Sequence, residues 1–169
     1  MATSVKVTVP LDADLREIAE KIQHQMESRA VRASYELYNA SQLVLRGQRH
    51  GRRYKVPGTY KRQLDKDPAK DPSEWEWKNG RYYTASAPGE APAVRTGAFR
   101  MSWQPKSQRV FGTYFSRIES DYRVGGGRHN LGDLLENGTS RMAPRPYSDQ
   151  IIQRAEKKID AIYSEPYDF

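Results

Sequence analysis

The chain has no cysteine among its 169 residues, which excludes disulfides, a thiolate nucleophile and zinc sites built on cysteine. No run approaches the ~18 to 20 apolar residues of a membrane span, and the first residues lack the apolar core of a signal peptide. Hydrophobic residues make up only 37% and the mean hydropathy is −0.90. We therefore expect a soluble protein made in the cytoplasm, with no membrane partner and with a small core that neighbouring subunits complete.

Recognisable catalytic motifs are also lacking. The three histidines, His24, His50 and His129, stand in unrelated contexts, and none has the His-Glu-x-x-His spacing of a zinc site. There is no Gly-x-Ser-x-Gly elbow, and the glycines at 125–127 lack the lysine of a phosphate-binding loop. The acidic residues at 65–76 lack the glycine and terminal glutamate of a calcium loop. A nuclease could be assembled only from His50 or His129 with arginines and a remote acid, so we expect no enzyme, no cofactor and no metal.

Positive charge is abundant and unevenly distributed. The 28 Lys and Arg exceed the 21 Asp and Glu, and the net charge of +7 favours an acidic partner. Between Glu36 and Asp65 there is no acid, and Tyr54 and Tyr60 are interleaved with basic residues. This basic stretch is predicted to contact DNA or an acidic protein surface, through Arg46, Arg49, Arg52, Arg53, Lys55, Lys61 and Arg62.

The first half of the chain predicts one long helix. Alternating valines suggest a short edge strand within residues 1–11. Asp14 and Glu17 have the spacing of a capping box, and Gly47 is a stop signal, so we expect a helix of about 32 residues. Its apolar stripe steps by three or four residues through Leu15, Ile18, Ile22, Met26, Ala30, Ala33, Leu37, Ala40 and Val44.

A protruding hairpin is predicted next, over residues 46–86. Its arms are Arg52–Val56 and Arg81–Ser86, a turn is marked by Pro57-Gly58, and residues 64–78 look like an insertion. Trp75 and Trp77 in that insertion either anchor a partner or tuck against the domain.

The second half predicts an antiparallel sheet and two helices. Aromatic residues alternate over 99–103 and 111–115, with a turn at Pro105–Gln108 and a further strand within Ile118–Val124. A short helix is expected at Leu131–Asn137. The last helix is expected to begin with Ser148 as N-cap and to bury Ile152, Ala155, Ile159 and Ile162. The tail 165–169 is expected to be loose unless Tyr167 and Phe169 dock on a neighbour. The fold class is therefore α+β, in a single domain spanning 1–169, with a long N-terminal helix and a C-terminal helix packed on a mainly antiparallel sheet.

Two turn-rich motifs frame this sheet region. The first, Ser86 to Gly97, reads Ser-Ala-Pro-Gly-Glu-Ala-Pro-Ala-Val-Arg-Thr-Gly, and the second, Leu134 to Tyr147, contains Leu-Glu-Asn-Gly-Thr-Ser-Arg-Met and Arg-Pro-Tyr. In this order they resemble the neck or tail-completion protein family of long-tailed bacteriophages, over roughly Tyr82 to Ile162. Asn137 departs from that family, which usually has an aromatic residue there, and the insertion at 64–78 is a second departure.

The resemblance implies a virion structural protein, assembled in the host cytoplasm as a homo-oligomeric ring, a hexamer or a dodecamer, at the head–tail junction. Its partners would be adjacent phage connector and tail proteins, with DNA passing non-specifically through the channel. The motif loops would meet neighbouring subunits or proteins through Pro88, Gly89, Glu90, Pro92, Thr96, Gly97, Glu136, Gly138, Thr139, Arg141, Pro144, Arg145 and Pro146. The alternative is a small basic nucleic-acid-binding module that grips the DNA backbone through Arg46 to Arg62, but it leaves the paired motifs unexplained.

Overall fold

The computed structural model describes residues 11–47, 49–55, 62–63, 77–78 and 82–168. They form an α+β fold with a long N-terminal helix, a C-terminal helix and small antiparallel sheets, as the sequence predicted. The valine-rich edge strand predicted near the N-terminus lies outside the described residues, and so does the Pro57-Gly58 turn.

The long helix, α1, runs from Leu11 to Arg46 and is followed by Gly47, where the sequence predicted its end. Its 36 residues correspond to about 54 Å at ~1.5 Å per residue. The predicted capping box is wrong, because Asp14 lies inside the helix and Glu17 instead forms an ion pair with Lys21 at 2.9 Å. The helix is longer than predicted because it begins at Leu11, before the predicted start at Asp14.

The predicted stripe of α1 is buried only in its C-terminal two thirds. Ala30, Ala33 and Ala40 are buried, and their small side chains allow close approach of the neighbouring elements. Leu15 and Ile18 are 55% and 37% exposed. The stripe therefore continues, at the N-terminal end of α1, beyond the part of the fold that covers it.

An antiparallel ribbon of β5 (Trp103–Val110) and β6 (Thr113–Ser120) lies along α1. The Ser116 hydroxyl donates to the carbonyl of Ala30 at 2.8 Å, which fixes the ribbon against the middle of the helix. The predicted turn at Pro105–Gln108 is wrong, because these residues lie within β5. In a two-stranded ribbon every strand is an edge strand, so a proline without an N–H is tolerated.

The ribbon turns at Phe111-Gly112, where both residues have positive φ values of 48° and 81°. The strand predicted around Phe99 and Met101 is also wrong, because α2 (Ala98–Met101) is a short helix. Phe99 in α2 and Trp103 at the start of β5 pack edge to face, with 5.7 Å between their ring centroids.

Three shorter ribbons complete the described strands. β1 (Arg53–Lys55) pairs with β4 (Tyr82–Thr84), which confirms the two predicted arms of the hairpin, and β2 (Arg62–Gln63) pairs with β3 (Trp77–Lys78). β7 (Arg123–Val124) pairs with β8 (His129–Asn130) across the three glycines.

Two helices close the fold. α3 spans Leu131–Asn137, as predicted, with the Asn130 side chain accepting from the Gly132 N–H at 2.8 Å. α4 (Ser148–Tyr163) packs on α1 and buries Ile151, Ala155 and Ile162. Ile152, which the sequence placed in the core, is 57% exposed, and Ile151 takes its place. The core cluster is small: Ala40, Leu45, Ala91, Tyr147, Ile151 and Ala155.

The C-terminal tail docks on α1 rather than hanging free. Arg29 donates to the carbonyl of Pro166 at 2.7 Å and its guanidinium lies 4.0 Å from the centroid of the Tyr167 ring. Gln25 exchanges two hydrogen bonds with the backbone of Asp168, at 2.6 and 3.1 Å. The prediction of a loose tail is therefore wrong, because Tyr167 docks on its own subunit and not, as the sequence suggested, on a neighbour.

Candidate functional site

The two sequence motifs come together in space. The Arg145 guanidinium donates to the carbonyl and hydroxyl oxygens of Ser86 and, at 3.2 Å, to the carbonyl of Ala87. The N–H of Gly89 donates to the carbonyl of Pro144 at 3.3 Å. Residues 86–97 and 134–147 therefore form one structural element, which we call the two-motif unit.

Glu136 acts within this unit instead of pointing towards a neighbour. Its carboxylate accepts from the backbone N–H of Tyr147 at 3.1 Å and of Ser148 at 3.4 Å. At the start of α4 these N–H groups have no acceptor within the helix, and a negative charge is favourable there. The predicted N-cap at Ser148 is wrong, since Tyr147 is the cap residue and Glu136 supplies the carboxylate.

Glu90 is also held inside the fold. Its carboxylate accepts from the N–H of Ala87 at 2.8 Å and of His50 at 3.2 Å, and lies 2.7 Å from the Nδ1 of His50. The bond from the Ala87 backbone, followed by the bonds from His50, lowers the pKa of Glu90 to about 2. The carboxylate thus ties the start of the basic stretch to the first motif.

Backbone geometry explains the glycines of the motifs. Gly138 has φ 75°, and a Cβ there would lie 2.7 Å from the carbonyl oxygen of Met142. Gly97 has a φ of 89° and directly precedes α2. The backbone N–H of Ala98, the first residue of α2, donates to the Thr96 hydroxyl at 3.3 Å. The backbone N–H of Arg141 donates to the Thr139 hydroxyl at 3.3 Å.

Several of the motif residues predicted to meet a neighbour are exposed, namely Pro88, Gly89, Thr96, Thr139, Arg141 and Pro144, and Pro146 is partly covered.

The two-motif unit forms one wall of an apolar cavity of about 560 Å³, which we call the motif pocket. Leu45 at the end of α1, Phe99, Tyr122 and Leu135 contribute to its lining. Val94, Arg95, Arg100 and Arg145 also line it, and no acidic residue does among the described part of the chain. Sequence reasoning missed this pocket because its lining comes from distant segments. Leu45 directly follows Val44, the last position of the predicted stripe.

The basic stretch divides into two parts. Arg49 is used internally, since its guanidinium donates to the carbonyl of Val44 at 2.7 Å and to that of Pro92 at 3.1 and 3.2 Å. Burial lowers the pKa of this guanidinium, although Glu90 opposes the change. Arg49 was predicted to contact DNA or an acidic protein surface, and it instead bonds to backbone carbonyls at the end of α1 and in the first motif.

Exposed cations and tyrosines occupy the antiparallel pair β1 and β4, which we call the basic ribbon. Arg52, Arg53 and Lys55 are exposed, as is Arg46 at the end of α1. The Arg53 guanidinium lies 4.7 Å from the ring centroid of Tyr82, and that of Arg52 lies 5.6 Å from the ring of Tyr54. Arg62 and Trp77 fall in β2 and β3, while Lys61 and Trp75 lie outside the described residues.

The three histidines lie on separate segments of the fold. His50 contacts Glu90, while His24 and His129 are exposed on α1 and β8. Over the described ranges, no group of three or more histidine and acidic residues is arranged to hold a metal ion. No described helix is long and apolar enough to cross a membrane.

Comparison with known proteins adds no relative. No protein-family model, curated protein or solved structure matches the chain.

Proposed function

We propose that the chain is a non-enzymatic virion structural protein that forms a ring in the head–tail connector of a tailed phage, around the DNA channel. The observation that carries the proposal is the two-motif unit. The segments on which the family resemblance depends are joined through Arg145, Ser86 and the Gly89–Pro144 backbone bond. A shared local fold is a reason for two distant motifs to occur together in one chain.

The distribution of apolar surface supports an assembling protein. The core cluster is small, while Phe111 is fully exposed and Met101 is 74% exposed. Leu15, Ile152 and Phe115 also expose half or more of their surface. Apolar side chains of this kind form subunit contacts where they join into a contiguous patch, and these residues are candidates for such contacts.

The basic ribbon suits a channel that passes any DNA sequence. Arg52, Arg53 and Lys55 project from a short ribbon and can contact phosphates, which carry no sequence information. The same observation favours the second candidate, a nucleic-acid-binding module, because Arg53 over Tyr82 combines a cation with an aromatic surface on which a base could stack.

Native mass spectrometry of the purified protein, over a concentration series at low and moderate salt, tests the ring. We expect a closed oligomer, or a monomer that becomes a ring when the adjoining neck and tail proteins are added. A protein that stays monomeric with those partners, yet binds DNA with a steep salt dependence, would favour the nucleic-acid-binding module instead.

Charge reversal separates the two candidates further. In the double variant Arg52→Glu and Arg53→Glu, a DNA-binding module loses its affinity for duplex DNA in isolation, whereas a connector protein keeps its oligomeric state and fails in virion assembly. Arg154→Glu, on the exposed face of α4, is the matched control. Plasmid cleavage with Mg²⁺ that disappears in His50→Ala or His129→Ala would contradict the non-enzymatic part of the proposal.

A further inference from the structure

The first turns of α1 are a surface without a partner inside the described subunit. Every described side chain from Asp14 to Lys21 is exposed, including the apolar Leu15 and Ile18. Together with the half-buried Ile22 they form a stripe at positions i, i+3 and i+7, the pattern with which an amphipathic helix enters a groove. We call residues 14–22 the free end of α1.

A cavity of suitable chemistry lies at the opposite end of the same helix. Leu45 lines the motif pocket, and the thirty residues that separate it from Leu15 span about 45 Å of helix. The free end of α1 therefore cannot reach the motif pocket of its own subunit. A projecting element at one end and a receiving cavity at the other define a heterologous contact between identical chains.

Charge complements shape in this pairing. The free end of α1 carries three acidic residues, Asp14, Glu17 and Glu20, against two basic residues, Arg16 and Lys21, a net charge of −1. The motif pocket is lined by Arg95, Arg100 and Arg145, and by no acid among the described residues. Opposite charges around an apolar contact favour this partner and orient it.

We propose that the motif pocket of one copy receives the free end of α1 from a second copy, with Leu15 and Ile18 as the inserted side chains. A cavity of about 560 Å³ accommodates two aliphatic side chains while the helix lies across its mouth. The contact repeats head to tail, so it closes into a ring when the rotation per subunit permits. The inference rests on the proposed function only in requiring a second copy of the chain.

Cysteine cross-linking tests the contact directly, because the chain contains no cysteine of its own. In the double variant Leu15→Cys and Val94→Cys, oxidation should give a ladder of dimers, trimers and higher multiples that a reductant returns to monomer. The control pairs Val94→Cys with Glu156→Cys, at an exposed polar position on α4. A ladder of equal yield in the control would mean random collision and would overturn the inference.

Charge exchange provides an independent test. Asp14→Arg and Arg95→Asp should each weaken association about tenfold or more in sedimentation, and the combination of both in one chain should restore it. Circular dichroism establishes that each variant is folded. Association unaffected by either single change would contradict the proposed contact.

The outcomes of these experiments distinguish a failure of this contact from a failure of the proposed ring. A closed oligomer in native mass spectrometry without a Leu15–Val94 ladder rejects the contact and leaves the proposed function standing. A monomer that gives no ladder at any concentration also rejects the contact, and the ring is then decided by adding the neck and tail proteins.

Discussion

Arg145 holds Ser86 by its carbonyl oxygen and its hydroxyl oxygen at once, across 59 residues of sequence. Ser86 is buried, and the backbone N–H of Arg145 donates to the carbonyl of Leu135 at 2.8 Å. One arginine thus joins the first motif, the second motif and the end of α3. The integrity of the two-motif unit depends on this side chain more than on the exposed loop residues around it.

Removal of that guanidinium should be costly. In Arg145→Met, which keeps the length of the side chain, we expect the free energy of unfolding to fall by about 2 to 3 kcal/mol, because charged hydrogen bonds to buried acceptors are lost. Denaturant titration measures the change. Arg141→Met, at an exposed position of the same motif, should stay within about 0.5 kcal/mol of the wild type. Equal losses in both variants would show that Arg145 has no special role.

Glu136 should stabilise α4 from outside the helix. Glu136→Ala removes the carboxylate that accepts from Tyr147 and Ser148, and we expect a loss of about 1 kcal/mol in stability. The exposed Glu156→Ala on α4 is the control, with a much smaller expected effect. Thermal unfolding followed by circular dichroism distinguishes them, and an unchanged Tm in Glu136→Ala would contradict the capping role.

Acid should weaken the fold through Glu90. Its pKa is lowered from 4.5 to about 2, so the stability it contributes is complete above pH 4.5 and is lost as the pH falls towards 2. We expect the Tm of the wild type to fall over this window more steeply than that of Glu90→Gln, which does not titrate. Parallel Tm curves for the two proteins between pH 6 and pH 2 would exclude the effect.

Phe111 is not the residue that best suits its position in the turn between β5 and β6. A phenylalanine at φ 48° with a fully exposed side chain stores backbone strain and packs against nothing in the described subunit. Phe111→Asn should raise the free energy of unfolding by about 1 kcal/mol, because asparagine before Gly112 favours this two-residue turn. Phe111→Val should lower it, since β-branched residues resist positive φ. A reversed order in chemical denaturation would refute this account.

Local signals predicted the elements whose ends depend on local residues. Gly47 ends α1, and Asn137 followed by Gly138 ends α3, because such stops act through neighbouring backbone groups. The strand predicted at Phe99 is wrong because a period-two pattern over five residues is too short to distinguish a strand from a short helix, and Phe99 contacts the core from α2. The turn predicted at Pro105 is wrong because the sequence does not reveal that its strand has only one neighbour among the described strands.

For the candidate site, the sequence identified the motifs but not the direction of their side chains. Glu90, Glu136 and Arg145 were expected to meet neighbours, and each instead bonds within the subunit. Their partners are set by tertiary contacts, which no local pattern encodes. The motif pocket was missed for the same reason. Arg52 and Arg53 are exposed, and their contact with DNA or an acidic protein surface stays a prediction.

The continuity of α1 has a mechanical consequence. Its 36 residues contain neither glycine nor proline, and the ribbon β5–β6, α4 and the C-terminal tail brace it laterally. Such a helix is stiff, because it contains no residue at which helices usually kink. A load applied near Leu15 is therefore transmitted along the backbone to Leu45 and so to the wall of the motif pocket, instead of being absorbed by bending within the helix.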